Sequence, residues 1–176
     1  MTGNGDDGDS CSRVQLAVDY FQYYVYDPGA FPELVGHEKV SDGVISALGT
    51  GAVISSGVRC AHVPVEVRVL SHAPASLPGE DVVAAECDLE LPTGVVVVNG
   101  WDDVAVRHDF GHRTRCRMRV EVFDRDSATD AGTDERQRIT LWEPDRPAPR
   151  WRSAADDELG RGLTYRPAPG PVPGAP

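Results

Sequence analysis

The sequence predicts an all-β protein, folded as a single antiparallel β-sandwich of jelly-roll type with disordered termini. In residues 113–122, arginines alternate with small or apolar side chains, and this period of two is typical of a strand. Acidic and apolar side chains alternate in the same way in residues 84–91. About seven or eight such segments, separated by Gly and Pro, leave little room for helix and fit two packed sheets.

The two charged segments form complementary ladders. Their outward faces carry Arg113, Arg115, Arg117 and Arg119 on one strand, and Glu86, Asp88 and Glu90 on the other. Opposite charges on neighbouring antiparallel strands attract each other, so we expect these two strands to pair with both ladders facing solvent. The simplest interpretation is a solvated lattice of salt bridges, in which each exposed pair contributes about 0.2–1 kcal/mol.

The remaining elements follow from the same alternation and from turn residues. We predict strands at residues 14–26, 40–48, 51–55, 62–70, 82–91, 94–98, 113–123 and 136–142. Asp27-Pro28-Gly29 ends the first strand, and Pro92-Thr93-Gly94 joins two strands as a hairpin turn. Pro64 lacks an N–H donor, which predicts that its strand lies at a sheet edge or has a bulge there. Short helices are expected only at residues 33–40 and 154–159.

The composition divides the chain into one domain and two tails. Residues 1–12 are predicted to be a disordered acidic N-terminus, residues 13–152 the β-sandwich domain, and residues 153–176 a disordered Pro/Gly-rich tail. The N-terminus lacks the basic start and apolar run of a signal peptide. No segment approaches the roughly 20 apolar residues of a membrane span, so we expect a cytoplasmic protein that does not contact a membrane.

The charge of the chain narrows the class of partner. It carries 28 acidic against 17 basic residues, a net charge of −11. Direct nucleic-acid binding draws on clustered cations that displace counterions from phosphates, so this balance argues against it. An acidic chain suits a basic protein partner, or it serves solubility alone.

The four cysteines, Cys11, Cys60, Cys87 and Cys116, form no C-x-x-C pair. Cys87 and Cys116 fall on the inward faces of their strands, where a free cysteine behaves as a small apolar residue. We interpret them as reduced core residues. A disulfide between them is the alternative if the two strands are neighbours.

Catalytic and metal-binding motifs are weak throughout the sequence. His108 and His112 lie four residues apart, a spacing that binds zinc on a helix, but Gly111 and the adjacent strand pattern place them in a loop. The serines lack the context of a nucleophile elbow. We therefore predict no catalytic residue, no metal and no cofactor, and a protein that is not an enzyme. A hydrolase would need a carboxylate pair or a metal cluster in one pocket.

Aromatic residues are concentrated in one segment: residues 20–26 contain five of the twelve in the chain. If this segment is one strand, Tyr20, Tyr24 and Tyr26 point to one face and Phe21, Tyr23 and Val25 to the other. One face then belongs to the core. Tyrosines displayed on the other face are typical of interfaces, although a covered central strand is the alternative.

Several segments together resemble one known family. They are D-Y-F-Q-Y-Y-V-Y-D at residues 19–27, H-E-K-V-S-D-G-V-I-S at 37–46, the valine-rich strand at 63–70, the acidic strand at 86–91, and the apolar-to-Trp step at 139–142. In this order they are similar to segments of the competence protein J family, small inhibitors of a DNA-entry nuclease. The resemblance covers residues 14–142 and implies both the fold and an inhibitor activity.

Two hypotheses of function follow. In the first, the chain is a non-catalytic protein-interaction module, of inhibitor or immunity type, that binds a basic partner such as a nuclease or toxin. Its partner-binding residues are Tyr20, Tyr24, Tyr26, Glu86, Asp88 and Glu90. In the second, the sandwich binds a small anionic or sugar ligand through bidentate arginines and an aromatic ring. Its ligand-binding residues are Arg115, Arg117, Arg119 and Trp142.

Overall fold

The structure, a computed structural model, describes residues 9–30, 41–47, 49–102, 104–127, 133–155, 157–158 and 164–165. Within these ranges the regular structure is almost entirely β, with a short 3-10 turn at Arg125–Ser127. The predicted all-β class is therefore confirmed.

The strands follow the predicted alternation closely in the middle of the chain. They are β1 (Ser10–Asp19), β2 (Gln22–Tyr26), β3 (Ser41–Asp42), β4 (Ile45–Ala47), β5 (Gly51–Ser55), β6 (Cys60–Leu70), β7 (Val83–Leu91), β8 (Val95–Asn99), β9 (Val104–Asp109), β10 (Thr114–Phe123), β11 (Arg136–Trp142), β12 (Trp151–Arg152) and β13 (Thr164–Tyr165).

The described strands join into one continuous sheet rather than two separate ones. Its order is β12-β7-β10-β11-β6-β1-β2-β5-β4-β3-β13, and β8 branches from β2 to pair with β9. The sheet curls strongly, like half a barrel, around its own core. The prediction of a two-sheet jelly-roll sandwich is corrected accordingly. The described strand pairs are antiparallel except β6 with β11, which run parallel and depart from the predicted antiparallel pattern.

The core lies on the concave side of this sheet and consists mainly of aliphatic side chains. In β6 the predicted apolar row is buried, with Val63, Val65 and Val67 at 2% exposure or less. Pro64 sits on the opposite face. Pro64 lies opposite Gln15 of β1, and the ladder of β6 with β11 begins only at Val65. The strand as a whole lies inside the sheet, so the predicted edge is confined to the β11 side at Pro64, and the register with β1 has no bulge there.

Two turns differ from the prediction. The first predicted strand, residues 14–26, is a hairpin of β1 and β2, and β1 already begins at Ser10. The turn after Leu91 forms, but β8 pairs with β2 and β9 instead of β7. The buried carboxylate of Asp27 accepts hydrogen bonds from the backbone N and the Oγ1 of Thr93, at 2.8 and 2.7 Å. This contact turns the chain after β7 toward β2.

Some of the other predicted elements lie outside the described residues, and some differ from the structure. The predicted helix at 33–40 lies outside them, and that at 154–159 lies partly outside. Strand β9 was not predicted, although its Val-Ala-Val alternation is visible in the sequence. In the tail predicted to be disordered, Thr164 and Tyr165 pair with β3. All four cysteines are free, and Cys87 lies opposite Met118 rather than Cys116.

Candidate functional site

The two charge ladders pair as predicted. In the register of β7 with β10, Glu90 lies opposite Arg115, Asp88 opposite Arg117 and Glu86 opposite Arg119. Oxygen Oε1 of Glu86 accepts from Nε of Arg119 at 2.6 Å, and Oε2 accepts from Nε of Arg117 at 3.0 Å. Nη1 of Arg117 also donates to Oδ1 of Asp88 at 2.9 Å. Opposite charges therefore fix the register of these two strands.

The middle of the ladders is nevertheless covered, so the predicted solvated lattice is wrong there and holds only at the exposed pair of Arg115 and Glu90. Glu86, Arg117 and Arg119 are buried. Arg117 donates from Nη1 and Nη2 to the carbonyl oxygens of Ala148 and Pro149, at 2.9 and 2.8 Å. Arg119 donates from Nη1 to the carbonyl of Ser76 at 2.9 Å. The ladders thus anchor two irregular segments, around Ser76 and around Ala148, across the outer face of the sheet.

This cover determines which of the predicted binding residues are exposed to solvent. Among the three acidic residues, the Glu90 side chain is 47% exposed, whereas Asp88 and Glu86 lie beneath the segment around Ala148. The arginines of the second hypothesis are gathered near Trp142, and the Arg119 guanidinium lies 5.7 Å from its ring centre. Trp142 itself is buried, and Arg117 and Arg119 donate to protein acceptors. Both binding roles remain predictions.

The tyrosines of β2 divide between the core and the outer face. Tyr23 and Val25 are fully buried, which confirms that this face belongs to the core. The hydroxyl of Tyr23 donates to Oε1 of Gln137 at 2.6 Å. Tyr24 and Tyr26 are half-buried, and burial raises the pKa of Tyr26. They lie on one strand, but Tyr20 does not share it.

Tyr20 and Phe21 form the two-residue turn between β1 and β2. Their φ angles are 48° and 63°, in the left-handed region that Asn and Gly usually occupy at such turns. A bulky L-residue in this region costs about 1–2 kcal/mol. Tyr20 is nevertheless 64% exposed and Phe21 is 40% exposed. The chain therefore holds two aromatic rings at solvent in a backbone conformation that disfavours them.

Neighbouring backbone holds this turn in place. The N–H of Ser56 donates to the carbonyl of Phe21 at 2.8 Å, and the N–H of Phe21 donates to the carbonyl of Arg59 at 3.4 Å. The Arg59 guanidinium lies 5.8 Å from the Tyr20 ring centre. Contacts that over-determine a strained conformation are typical of functional positions.

A buried polar network supports Ser56 from below. Its hydroxyl donates to Oε2 of Glu135 at 2.9 Å, and Gln137 donates to Oε1 of the same carboxylate at 2.5 Å. Burial raises the pKa of Glu135, against the hydrogen bonds from Gln137, Gly57 and Ser56. The turn is therefore connected to β11 through Ser56 and Glu135.

Trp101 is bonded to β1 on the approach to the same turn. Its backbone N–H donates to the carbonyl of Ala17 at 2.9 Å, and Ala17 precedes Tyr20 by three residues, or about 10 Å of strand. A Cβ on Gly100 would lie 2.6 Å from that carbonyl, so only glycine permits this approach. Trp101 is 68% exposed. We call Tyr20, Phe21 and Trp101 the aromatic tip.

Sequence reasoning identified one member of the aromatic tip, Tyr20, and missed the other two. The alternation predicts Phe21 on the core face, because it does not distinguish this hairpin from a single strand. Trp101 follows the dipeptide Asn99-Gly100, which signals a turn, and residues in turns usually lie at the surface.

The other candidate sites of the sequence gain no support from the geometry. Among the described residues, no group of three or more His, Cys, Asp or Glu side chains is placed to hold a metal ion. His108 packs edge-on against Phe110, and Nδ1 of His112 lies 2.8 Å from the carbonyl of Phe110. No helix in the described ranges has the length and apolar character needed to cross a membrane.

Comparison with known proteins identifies the fold. No protein-family profile and no curated protein matches the chain. Its structure is similar to that of ComJ from Bacillus subtilis, the inhibitor of the DNA degrading activity of NucA, with a TM-score of 0.54 and 10% identity over 77% of this chain and 98% of ComJ. It also matches the crocagin biosynthetic gene J protein, with a TM-score of 0.49 and 17% identity over 79% and 99% of the two chains. The resemblance seen in the sequence is thus confirmed in the structure: the chain has a ComJ-like fold.

Proposed function

We propose that this chain is a non-catalytic, inhibitor-like protein-interaction module that docks onto a basic protein, such as a nuclease, in the cytoplasm. The observation that carries the proposal is the aromatic tip. Tyr20 and Phe21 occupy left-handed backbone positions while both rings remain exposed. Selection for stability alone favours Asn-Gly at such a turn, so the two rings are best explained by a contact outside the chain.

The chemistry of the tip suits a protein partner. Tyrosine and tryptophan are frequent hot-spot residues, since each buries a large rigid surface at a small cost in conformational entropy. The Ser56 and Arg59 backbone contacts hold the turn in one conformation before binding, which lowers the entropy lost on association. A basic partner follows from the net charge of −11 and from exposed carboxylates such as Asp102 and Glu90.

The fold supports the inhibitor-like part of the proposal. ComJ, whose chain is covered almost completely, inhibits the DNA degrading activity of NucA. The common fold provides the scaffold, and the identity of 10% leaves the contact residues of the present chain to be argued from its own surface. Our proposal assigns this role to the aromatic tip, with Glu90 as the reachable part of the acidic ladder.

The test compares capture of partners by four tagged forms of the protein. In the double variant Tyr20→Ala/Phe21→Ala the strained turn remains without its rings, and in Tyr20→Asn/Phe21→Gly both the rings and the strain are removed. Leu77→Ser, which removes another highly exposed apolar side chain, is the matched control. We expect the wild type and the control to capture a basic protein whose DNA-degrading activity the purified chain suppresses. Both turn variants should lose it, and equal capture by all four forms would exclude the aromatic tip.

A further inference from the structure

We infer that the outer face of β1, β6 and β11 carries a second binding site, an arginine groove that takes an acidic segment of a protein chain. The groove has a volume of about 540 Å³ and crosses the three strands. The side chains that the argument uses are Arg13, Pro64, Glu66, Phe123, Arg136 and Arg138. None of these residues belongs to the aromatic tip, and the inference does not depend on the proposed function.

The carboxylate of Glu66 indicates the kind of ligand that suits the groove. Its carboxylate accepts from Nε of Arg13 at 3.0 Å and from Nε of Arg138 at 3.1 Å, and Nε of Arg68 donates to it at 2.5 Å. Three guanidiniums, each with five N–H donors, therefore converge on one carboxylate. Burial opposes the ionisation of Glu66, but these arginines outweigh it and lower its pKa. The groove thus already holds one carboxylate and has more donors than that carboxylate can use.

The two most exposed arginines of the groove mark the ends of the site. The side chain of Arg13 is 81% exposed on β1, and that of Arg136 is 65% exposed on β11. Arg13 and Arg138 both lie opposite Glu66 of β6, and Arg136 is two residues away from Arg138 along β11. The backbone positions of Arg13 and Arg136 are therefore about 12 Å apart, two strand spacings across the sheet and two residues along it. Acidic side chains at i and i+4 of an extended chain lie on the same face about 13 Å apart, which is a similar distance. An acidic segment laid across the strands can therefore reach both arginines.

The local charge is positive although the whole chain is acidic. Three arginines, Arg13, Arg136 and Arg138, line the groove, and Arg68 adjoins it through its ion pair with Glu66. The carboxylates nearby are Glu66, Glu121 at 3.5 Å from Arg138, and Asp124 at 3.5 Å from Arg136. The Glu121 side chain is mostly buried, so its charge is directed at Arg138 rather than at solvent. A cationic groove in a chain of net charge −11 selects anions locally while the rest of the surface repels them.

The same geometry disfavours a nucleic acid. Single strands bind through bases stacked on aromatic faces, together with long cationic tracks. Here the Phe123 ring has the guanidiniums of Arg136 and Arg138 at 5.2 and 5.6 Å from its centre. These guanidiniums compete with a base for the ring. Carboxylates, in contrast, match the planar fork of arginine and need no ring face.

Isothermal titration calorimetry with a capped hexaglutamate peptide tests the inference. Arg13→Ala/Arg136→Ala removes the two exposed arginines of the groove, and Arg107→Ala/Arg113→Ala removes the same charge from exposed positions outside it. We expect the wild type and the Arg107/Arg113 variant to bind the peptide. The Arg13/Arg136 variant should bind at least about tenfold more weakly, because two charge-assisted contacts are lost.

Four results would overturn the inference. The first is no binding of hexaglutamate to the wild type, and the second is equal weakening in both double variants, which indicates general charge attraction. The third is binding of inorganic phosphate as tight as that of the peptide, which indicates a simple anion site. The fourth is tighter binding of an oligothymidylate. The Tyr20→Ala/Phe21→Ala variant should bind hexaglutamate as tightly as the wild type. This result would show that peptide binding in the groove is independent of the aromatic tip, on which the proposed function rests.

Discussion

Glu86 on β7 and Arg119 on β10 lie directly opposite each other and are joined by a hydrogen bond of 2.6 Å beneath a cover of irregular chain. Removing one partner of such a pair costs little at the surface but much more when the pair is buried, because the remaining ion is left in the interior without a counter-charge. The acidic ladder is therefore best understood as part of the scaffold. Our proposal accordingly assigns molecular recognition to a surface that the scaffold leaves open, the aromatic tip.

Removing Glu86 tests this structural role. We expect Glu86→Ala to lower the free energy of unfolding by about 3 kcal/mol, since it leaves two buried guanidiniums without their common carboxylate. Glu90→Ala removes the exposed end of the same ladder and should change stability by less than about 1 kcal/mol. Urea unfolding followed by tryptophan fluorescence gives both values. An equal decrease in unfolding free energy in the two variants would contradict a larger structural role for buried Glu86 than for exposed Glu90.

Substitutions in the strained turn should have the opposite effect and increase stability. Tyr20→Asn/Phe21→Gly places the residues that type I′ turns prefer at φ angles of 48° and 63°. We expect the free energy of unfolding to rise by about 1–2 kcal/mol, because the left-handed penalty is removed. Tyr20→Ala/Phe21→Ala keeps the penalty and should bring no such gain. A loss of stability in the Asn-Gly variant would mean that the rings stabilise the fold itself.

The four thiols should divide into two classes. Cys11 and Cys60 are exposed, whereas Cys87 and Cys116 are buried, and burial raises the pKa of the Cys87 thiol to about 12. Because the thiolate is the reactive form, Ellman's reagent should modify two thiols rapidly in the native protein and all four after unfolding. Rapid reaction of Cys87 or Cys116 under native conditions would contradict the buried positions of β7 and β10.

Glu66 predicts a defined dependence of stability on pH. Its pKa is lowered from the ordinary 4.5, against the effect of burial, by hydrogen bonds and charge from three arginines. A lowered folded pKa means that this stabilisation is complete above the unfolded pKa and disappears as the pH falls through the folded one. The difference in unfolding free energy between the wild type and Glu66→Gln should therefore be constant near pH 7 and shrink below about pH 4.5. A difference that grows on acidification would contradict the assignment.

The sequence predicted those features that local periodicity controls. The alternation around Arg117 and around Asp88 identified β10 and β7, their pairing and their buried cysteines. It did not reveal the cover over Arg117, because the acceptors are backbone carbonyls of Ala148 and Pro149 that lie 31 and 32 residues away. Whether a charged face is solvated depends on such distant segments, and the pattern of one strand does not contain that information.

The hairpin escaped prediction for a different reason. A turn at Tyr20 and Phe21 contains neither Gly, Asn nor Asp, so nothing in the local chemistry separates it from the strands on either side. Tertiary contacts from Ser56 and Arg59 impose the conformation instead. Phe21 was therefore not predictable as a turn residue, because at this position the local preference and the fold disagree.

The most direct test of the central claim is the inhibition of DNA degradation by the protein captured on the wild-type chain. Titration of that nuclease with purified wild type should abolish its activity at a stoichiometric ratio, while the Tyr20→Ala/Phe21→Ala variant leaves the activity intact at the same ratio. Capture of no nuclease by the wild type, or equal inhibition by the variant, would contradict an inhibitor that docks through its aromatic tip.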